Sequence, residues 1–264
     1  MNPPINQRAR ALEILRLSDP VAKALQTRAL FADLDLSAIG PEATFDTPDG
    51  LPGRPTLPRL VAPKDVPARS PFTLAGRAAL LHAVTHIEFN AINLALDAVW
   101  RFPGLPIAFY RDWLRVAAEE SLHFTLLREH LLTLGSDYGQ FDAHDGLWTM
   151  TQRTAHDVTA RMALVPRTLE ARGLDAAPPM QAKLRKAGDL RAVEILDVIL
   201  RDEVGHVAIG NHWYRWLCAR DGHDPVALYA ELTVRFDAPR LRPPFNTEAR
   251  RAAGFTETEI GLLS

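Results

Sequence analysis

The stretch RVAAEESLHFTLL, residues 115–127, decides the fold expected for this chain. It places Glu120 and His123 in an otherwise apolar helical pattern, and a second stretch, DVILRDEVGHVAIG (197–210), repeats the arrangement. Residues three apart share one face of a helix, so the two side chains of such a pair can bind one ion together. A lone Glu-x-x-His pair is a weak signal, so the surrounding sequence has to support it.

That support comes from a glutamate placed one hairpin before each pair. Glu88 lies in HAVTHIEFNAINLAL, 32 positions before Glu120. Glu170 lies in ALVPRTLEARGL, 33 positions before Glu203, which is followed by His206. Each interval has the length of one antiparallel hairpin of long helices, so the two members of each hairpin are expected at similar heights.

The repeated pattern predicts a buried site for two metal ions. Four carboxylates in an apolar interior would repel one another and lose hydration, and two divalent cations would compensate their charge. Carboxylate and imidazole ligands suit iron, with manganese as the alternative, and the lack of a Cys ligand disfavours structural zinc. The predicted ligands are Glu88, Glu120, His123, Glu170, Glu203 and His206.

The helical periodicity predicts an all-α, ferritin-like four-helix bundle with one long crossover, since short, long and short connections join four long helices. Pro166 predicts a kink in the third helix, and Gly188 a joint in the fourth. No stretch alternates apolar and polar residues as a strand would. The four helices are expected at 73–101, 107–134, 147–172 and 180–220.

Segments outside these helices divide the chain into three parts of one structural domain: 1–72, 73–222 and 223–264. The first contains a helical region broken near Pro20, followed by eight prolines between residues 38 and 72. This proline-rich segment cannot be regular helix or central strand. Its apolar residues predict an ordered strap on the bundle, anchored by Leu51, Leu57 and Leu60. The last part is expected to contain short helices, one of them capped by Thr256 and Glu259.

Composition excludes several classes of protein. The chain has 264 residues, with 47% hydrophobic and 23% charged residues and a net charge of -2, so a folded core is expected and DNA is not an expected partner. No apolar run is long enough to span a membrane, and the first residues lack the apolar core of a signal peptide. The single cysteine, Cys218, fits a reducing compartment, so a cytoplasmic location is expected.

Six stretches resemble a family of bacterial ferritin-like proteins of uncharacterised function. They are HIEFNAINLALDAVWRFP, FYRDWLRVAAEESLHF, YGQFDAHDGLW, TAHD, LEARGLD and RDEVGHVAIGNHWYRW, which together cover roughly residues 70–220. The resemblance implies a di-metal centre at the six residues named above. The family is also distantly similar to tRNA-modifying non-haem di-iron monooxygenases. Pro166 departs from a regular third helix and could shift Glu170.

Other polar residues have lesser expected roles. Glu119 and Asp202, which directly precede two of the ligands, are expected to orient the two ligand histidines across the bundle, since metal-bound histidines are commonly held by such acceptors. His82 and His86 are one turn apart but are rotated away from Glu88, which disfavours them as ligands. The arginines at 240, 242, 250 and 251 are expected on a solvated face, with an anion site as the alternative.

These features favour an oxidoreductase that activates O2 and oxidises or hydroxylates an organic small molecule or a modified nucleoside. Beyond the metal ligands the sequence indicates no catalytic residue, and it has no nucleotide or flavin motif, so electrons are expected from a separate protein. One alternative is a ferroxidase for iron storage or detoxification. Another is a non-catalytic helical module, which leaves the matched carboxylates unexplained. The oligomeric state is open, with a homodimer as one option.

Overall fold

A computed structural model describes residues 6–67 and 69–263. The prediction of an all-α fold is confirmed, because extended pairing in the described residues is limited to one isolated bridge between Leu60 and Ala143. No described helix is long and apolar enough to cross a membrane. The α-helices are α1 (Gln7–Leu15), α2 (Pro20–Ala32), α3 (Leu74–Arg101), α4 (Ile107–Thr133), α5 (Gly146–Arg153), α6 (Val158–Leu164), α7 (Ala171–Lys186), α8 (Leu190–Asp221), α9 (Pro225–Arg235), α10 (Thr247–Ala252) and α11 (Glu257–Gly261).

The described chain divides into two compact units, Met1–Trp148 and Thr149–Ser264, and the division falls within α5. The first unit is built on the α3–α4 hairpin, whose bounds match the prediction within one residue. The Thr73 side chain caps α3 by accepting from the Gly76 N–H. Every residue of α3 from Glu88 to Trp100 is buried. A helix that is buried all round is typical of the centre of a core, and α1 and α4 pack against it.

Two buried cations tie the N-terminal helices to this hairpin. Arg8 of α1 donates to the carbonyl oxygens of Val99 and Trp100 at 3.0 and 2.7 Å. Lys23 of α2 donates to the Asn93 side chain of α3 at 2.6 Å, and also to two backbone carbonyls. Three acceptors match the three N–H groups of an ammonium ion, so the buried charge is fully hydrogen-bonded.

Two of the three predicted anchors of the proline-rich strap are wrong, whereas Leu51 is half-buried. Leu57 and Leu60 are 57% and 40% exposed. Among the strap's prolines, Pro52 and Pro58 are buried, and the strap also makes polar contacts within its own unit. Gly53 donates to the Leu15 carbonyl at 2.9 Å, and a side chain there would collide with the end of α1. The ion pairs Arg54–Asp145 (2.8 Å) and Arg59–Asp142 (2.6 Å) attach it to residues 142–145.

The second unit departs most from the sequence prediction. The third helix, expected at 147–172, is interrupted at residues 154–157 and continues beyond Gly173 to Lys186. Pro166 produces more than a kink, because the segment Val165–Glu170 is a π-helix, in which each turn holds one extra residue. The expected helix end at residue 172 is wrong, because the next residue, Gly173, has no left-handed φ and the helix continues through it.

The fourth helix is shorter than expected. The sequence predicted one helix over 180–220 with a joint at Gly188, but this glycine lies in a complete break between α7 and α8. Its φ of 79° is left-handed, a conformation that ends helices. The end of α8 at Asp221 agrees with the predicted end at 220 within one residue, and Gly222 follows it with a left-handed φ of 74°. The Thr256–Glu259 capping box is confirmed as well.

Candidate metal centre

The α3–α4 hairpin brings three of the predicted ligands together. His123 Nδ1 lies 3.2 Å from Glu88 Oε2 and 3.3 Å from Glu120 Oε2. One ligand atom from each of the three residues lies within 4.8 Å of the others. The exposed fractions are 3% for Glu88 and zero for the other two. The expected matching of heights across this hairpin is therefore confirmed.

The electrostatics of this cluster are unfavourable for ionised carboxylates. Burial raises the pKa of Glu88 well above its usual range, and the negative charge of Glu120 raises it further. Contact with His123 lowers it, but does not offset the other two effects. A buried carboxyl group next to a second one holds a proton unless a cation compensates the charge.

The donor set fits a metal ion. Two carboxylates and an imidazole are ligands that iron, manganese and zinc accept in proteins. A divalent cation would replace the proton on Glu88 and remove the repulsion with Glu120. This buried Glu and His cluster could therefore hold a metal ion.

Aromatic side chains pack together next to two of the predicted ligands in sequence. Phe89 and Phe124, each next to a ligand in sequence, pack with ring centroids 5.8 Å apart. Tyr138 packs on both of them, at 5.6 and 5.3 Å. Its hydroxyl lies 2.9 Å from His86 Nδ1. The apolar rings keep the dielectric low, which strengthens interactions between the charged groups.

His82 and His86 have other partners, as their rotation from Glu88 predicted. His86 is bonded at both ring nitrogens, with Asn90 3.0 Å from Nε2. The His82 Nε2 accepts from the Gly139 N–H at 2.9 Å. Burial lowers the pKa of His86 to about 3 and that of His82 to about 4, so both are neutral at pH 7.

The second unit contains the other predicted ligands. Glu203 and His206 lie on α8, with His206 Nδ1 3.7 Å from Glu203 Oε1. Both are buried, and so is Glu170, the last residue of the π-helix. Their pairing follows from the three-residue spacing on a helix face. A convergence of all six ligands stays a prediction.

Glu119 and Asp202 are partly buried and pair with arginines of their own helices. Glu119 lies 3.3 Å from Arg115, and Asp202 lies 2.8 Å from Arg201. Both carboxylates have oxygens with further bonding capacity. Their expected role in orienting the ligand histidines stays a prediction.

Sequence reasoning missed a buried polar network in the second unit. Arg167, in the π-helix, donates to Glu259 at 2.7 Å and to Asn211 at 2.6 Å. Arg250 was expected on a solvated face, but it is fully buried in an ion pair with Asp175 at 2.7 Å. A usable signal for Arg250 was its position three residues before Ala253 and five before Phe255, in a short helix with apolar neighbours.

Comparisons with known proteins place the chain without assigning it an activity. A protein of Haemophilus influenzae described as an uncharacterized protein is 56% identical over 222 residues, covering 81% of this chain and 77% of the relative. No solved structure is significantly similar to the chain. The family model described as protein of unknown function (DUF455) matches residues 16–261. The match spans most of the sequence, and the chain therefore belongs to the DUF455 family.

Proposed function

We propose that the two Glu-plus-Glu-x-x-His sets form one dinuclear metal centre of the ferritin-like type. The observation that carries this proposal is the buried contact of His123 with Glu88 and Glu120, where the pKa of Glu88 is raised. The second set, buried on α8 and the π-helix, repeats the same residue types in the same order. Glu88, Glu120 and His123 would hold one ion, and Glu170, Glu203 and His206 the other.

In this proposal the chain's own residues prepare the site in three ways. The helices hold the ligands in place before any ion binds, so little order is lost on binding. The buried rings of Phe89 and Phe124, each next to a proposed ligand in sequence, add apolar surroundings to the first set. The imidazole of His123 and the carboxylates must release protons for metal binding, so affinity should increase with pH.

The reaction we propose is the O2-dependent oxidation or hydroxylation of an organic molecule or a modified nucleoside. A pair of iron ions, or one iron and one manganese, would supply the oxygen-binding and redox chemistry. The electrons would come from a separate electron-transfer protein. A ferroxidase is the alternative outcome of the same test.

The test measures metal content and oxygen chemistry in the same preparation. Protein stripped with a chelator is reloaded anaerobically with Fe(II), the bound iron is counted by mass spectrometry, and O2 is added in a stopped-flow spectrometer. Two iron ions per chain and a transient absorbance support the oxidoreductase proposal. Many iron ions per chain indicate a ferroxidase instead, and a chain that binds neither Fe(II) nor Mn(II) overturns both functions.

A further inference from the structure

The π-helix of the second unit ends at a predicted metal ligand. Val165–Glu170 lies between α6 and α7, and its extra residue per turn changes the direction of every side chain that follows. The Thr168 hydroxyl donates to the carbonyl of Ala163, five residues earlier, at 2.8 Å. The direction of Glu170 therefore depends on whether this segment keeps its π-helical register.

Gly210 of α8 holds one side of the π-helix. A Cβ atom at this position would lie 2.6 Å from Pro166 Cβ and 2.7 Å from Pro166 Cγ. Such separations are well inside van der Waals contact, so only glycine lets α8 approach the proline ring this closely. By contrast, a Cβ atom at Gly173 of α7 would meet nothing within 4 Å.

Glu259, near the end of the chain, holds the other side through Arg167. One carboxylate oxygen of Glu259 accepts from Arg167, and the other accepts from Arg215 and from the Thr256 N–H, each at 2.7 Å. Arg167 is 2% exposed and its guanidinium also lies over Phe255. A buried guanidinium that loses its carboxylate partner must move towards other acceptors or water.

We propose that Glu259, acting through Arg167, and Gly210, acting against Pro166, are positioning residues for Glu170. They fix the π-helical register and so the direction in which the Glu170 carboxylate points. This inference rests on the proposed dinuclear centre, in which Glu170 belongs to the second ligand set. The C-terminal helix α11 thereby controls the affinity of one of the two metal ions.

The first experiment compares two neighbouring acids of α11. Glu259→Gln removes the buried charge but keeps an oxygen acceptor, whereas Glu257→Gln changes an exposed ion pair with Arg251. Mn(II) titrations followed by electron paramagnetic resonance count the ions bound and give each affinity. Glu259→Gln should lower the affinity for one ion roughly tenfold, as is usual when a residue that supports a metal ligand is changed. The affinity for the other ion should stay unchanged. Glu257→Gln should behave as wild type.

Glu170→Gln identifies the binding step that depends on this ligand. Glu259→Gln should affect the same step as Glu170→Gln, by a smaller factor. A purely structural role would lower thermal stability without weakening one ion selectively. Faster amide hydrogen exchange in peptides covering 165–170 of the metal-free variant would show directly that the π-helix has loosened.

Gly210→Ala tests the inference by a route that changes no charge, with Gly173→Ala as its matched control. Gly210→Ala should lower the affinity for the same ion as Glu259→Gln does. Gly173→Ala should leave both affinities unchanged. The inference is overturned if wild-type protein binds two ions and both Glu259→Gln and Gly210→Ala retain both affinities. If wild-type protein binds no metal, the proposed function fails and the inference fails with it.

Discussion

The two predicted ligand sets have the same residues in the same order, but their helices differ. In the first unit, Glu88, Glu120 and His123 lie on two long, unbroken α-helices. In the second unit, Glu203 and His206 lie on a continuous helix, whereas Glu170 ends a π-helix between two α-helical pieces. A regular helix fixes side-chain direction by local hydrogen bonds alone. An irregular one needs tertiary contacts to hold it, and the second unit supplies them.

The buried cations show the same difference. Lys23, in the first unit, joins an N-terminal helix to the central helix by bonds to neutral acceptors. Arg167 and Arg250, in the second unit, pair with buried carboxylates and hold the C-terminal helices against α7 and the π-helix. The first predicted ligand set is thus formed by one hairpin, whereas the π-helix that carries Glu170 is bonded through Arg167 to a residue 92 positions further along the chain.

The largest loss of stability is expected from substituting the buried Arg250. Arg250→Met leaves the Asp175 carboxylate buried without its bidentate partner, and the free energy of unfolding should fall by about 3–5 kcal/mol. Arg251→Met, one position away in an exposed pair, should change it by less than about 1 kcal/mol. Urea denaturation followed by circular dichroism measures both. Equal effects would contradict the role of the buried pair.

Removing a ligand from each unit tests whether the sets are equivalent in the proposed centre. Glu120→Ala and Glu203→Ala should each weaken metal binding by about 100-fold or more. Such a loss is at least as large as the losses seen when a residue hydrogen-bonded to a metal ligand is removed. Exposed glutamates on the same helices provide the controls, Glu129→Ala for α4 and Glu194→Ala for α8. Mn(II) titration measures all four variants. Wild-type affinity in either ligand variant would remove that residue from the site.

Lys23→Met examines the anchoring of the first unit. It removes the donor to three oxygen acceptors, of which the Leu15 carbonyl keeps its bond from the Gly53 N–H, and should lower the free energy of unfolding by about 1–3 kcal/mol. The exposed Lys64→Met serves as the control, with no expected change. Because Lys23 holds α2 and the strap, the loss should be accompanied by faster proteolysis near Gly53. A stable, protease-resistant Lys23→Met protein would show that apolar packing alone holds these segments.

The smallest effect is a gain in stability from Glu88→Gln. Burial and the Glu120 charge raise the pKa of Glu88 in the folded, metal-free protein. As pH rises above the unfolded pKa of about 4.3, the folded state therefore loses stability relative to the unfolded chain. At pH 7 the metal-free variant should be about 0.5–2 kcal/mol more stable than wild type, a common gain at functional sites. Below about pH 4 the difference should vanish, because Glu88 is then protonated in both states. Thermal melts at both pH values measure this, and a destabilised variant at pH 7 would contradict the electrostatic account.

The sequence predicted the regular parts of the molecule well, because local rules set them. The bounds of α3 and α4, the stop at Gly222 and the capping box at Thr256 follow from apolar periodicity, glycine and short-range hydrogen bonds. The proximity of Glu88 to Glu120 and His123 follows from hairpin length and helix periodicity. The same rules failed at residues 154–188, where Pro178 and Pro179 lie inside α7 and Gly173 does not end a helix.

The amino-acid sequence by itself determined that the chain is helical, and it correctly brought Glu88, Glu120 and His123 together on one hairpin. Tertiary structure decided the π-helix, the ion pairs of the strap through Arg54 and Arg59, and the burial of Arg167 and Arg250. The physical reason is the range of the interactions. Helix periodicity and capping act within a few residues, whereas a π-turn or a buried ion pair is stable only when side chains distant in sequence supply its packing and its opposite charge.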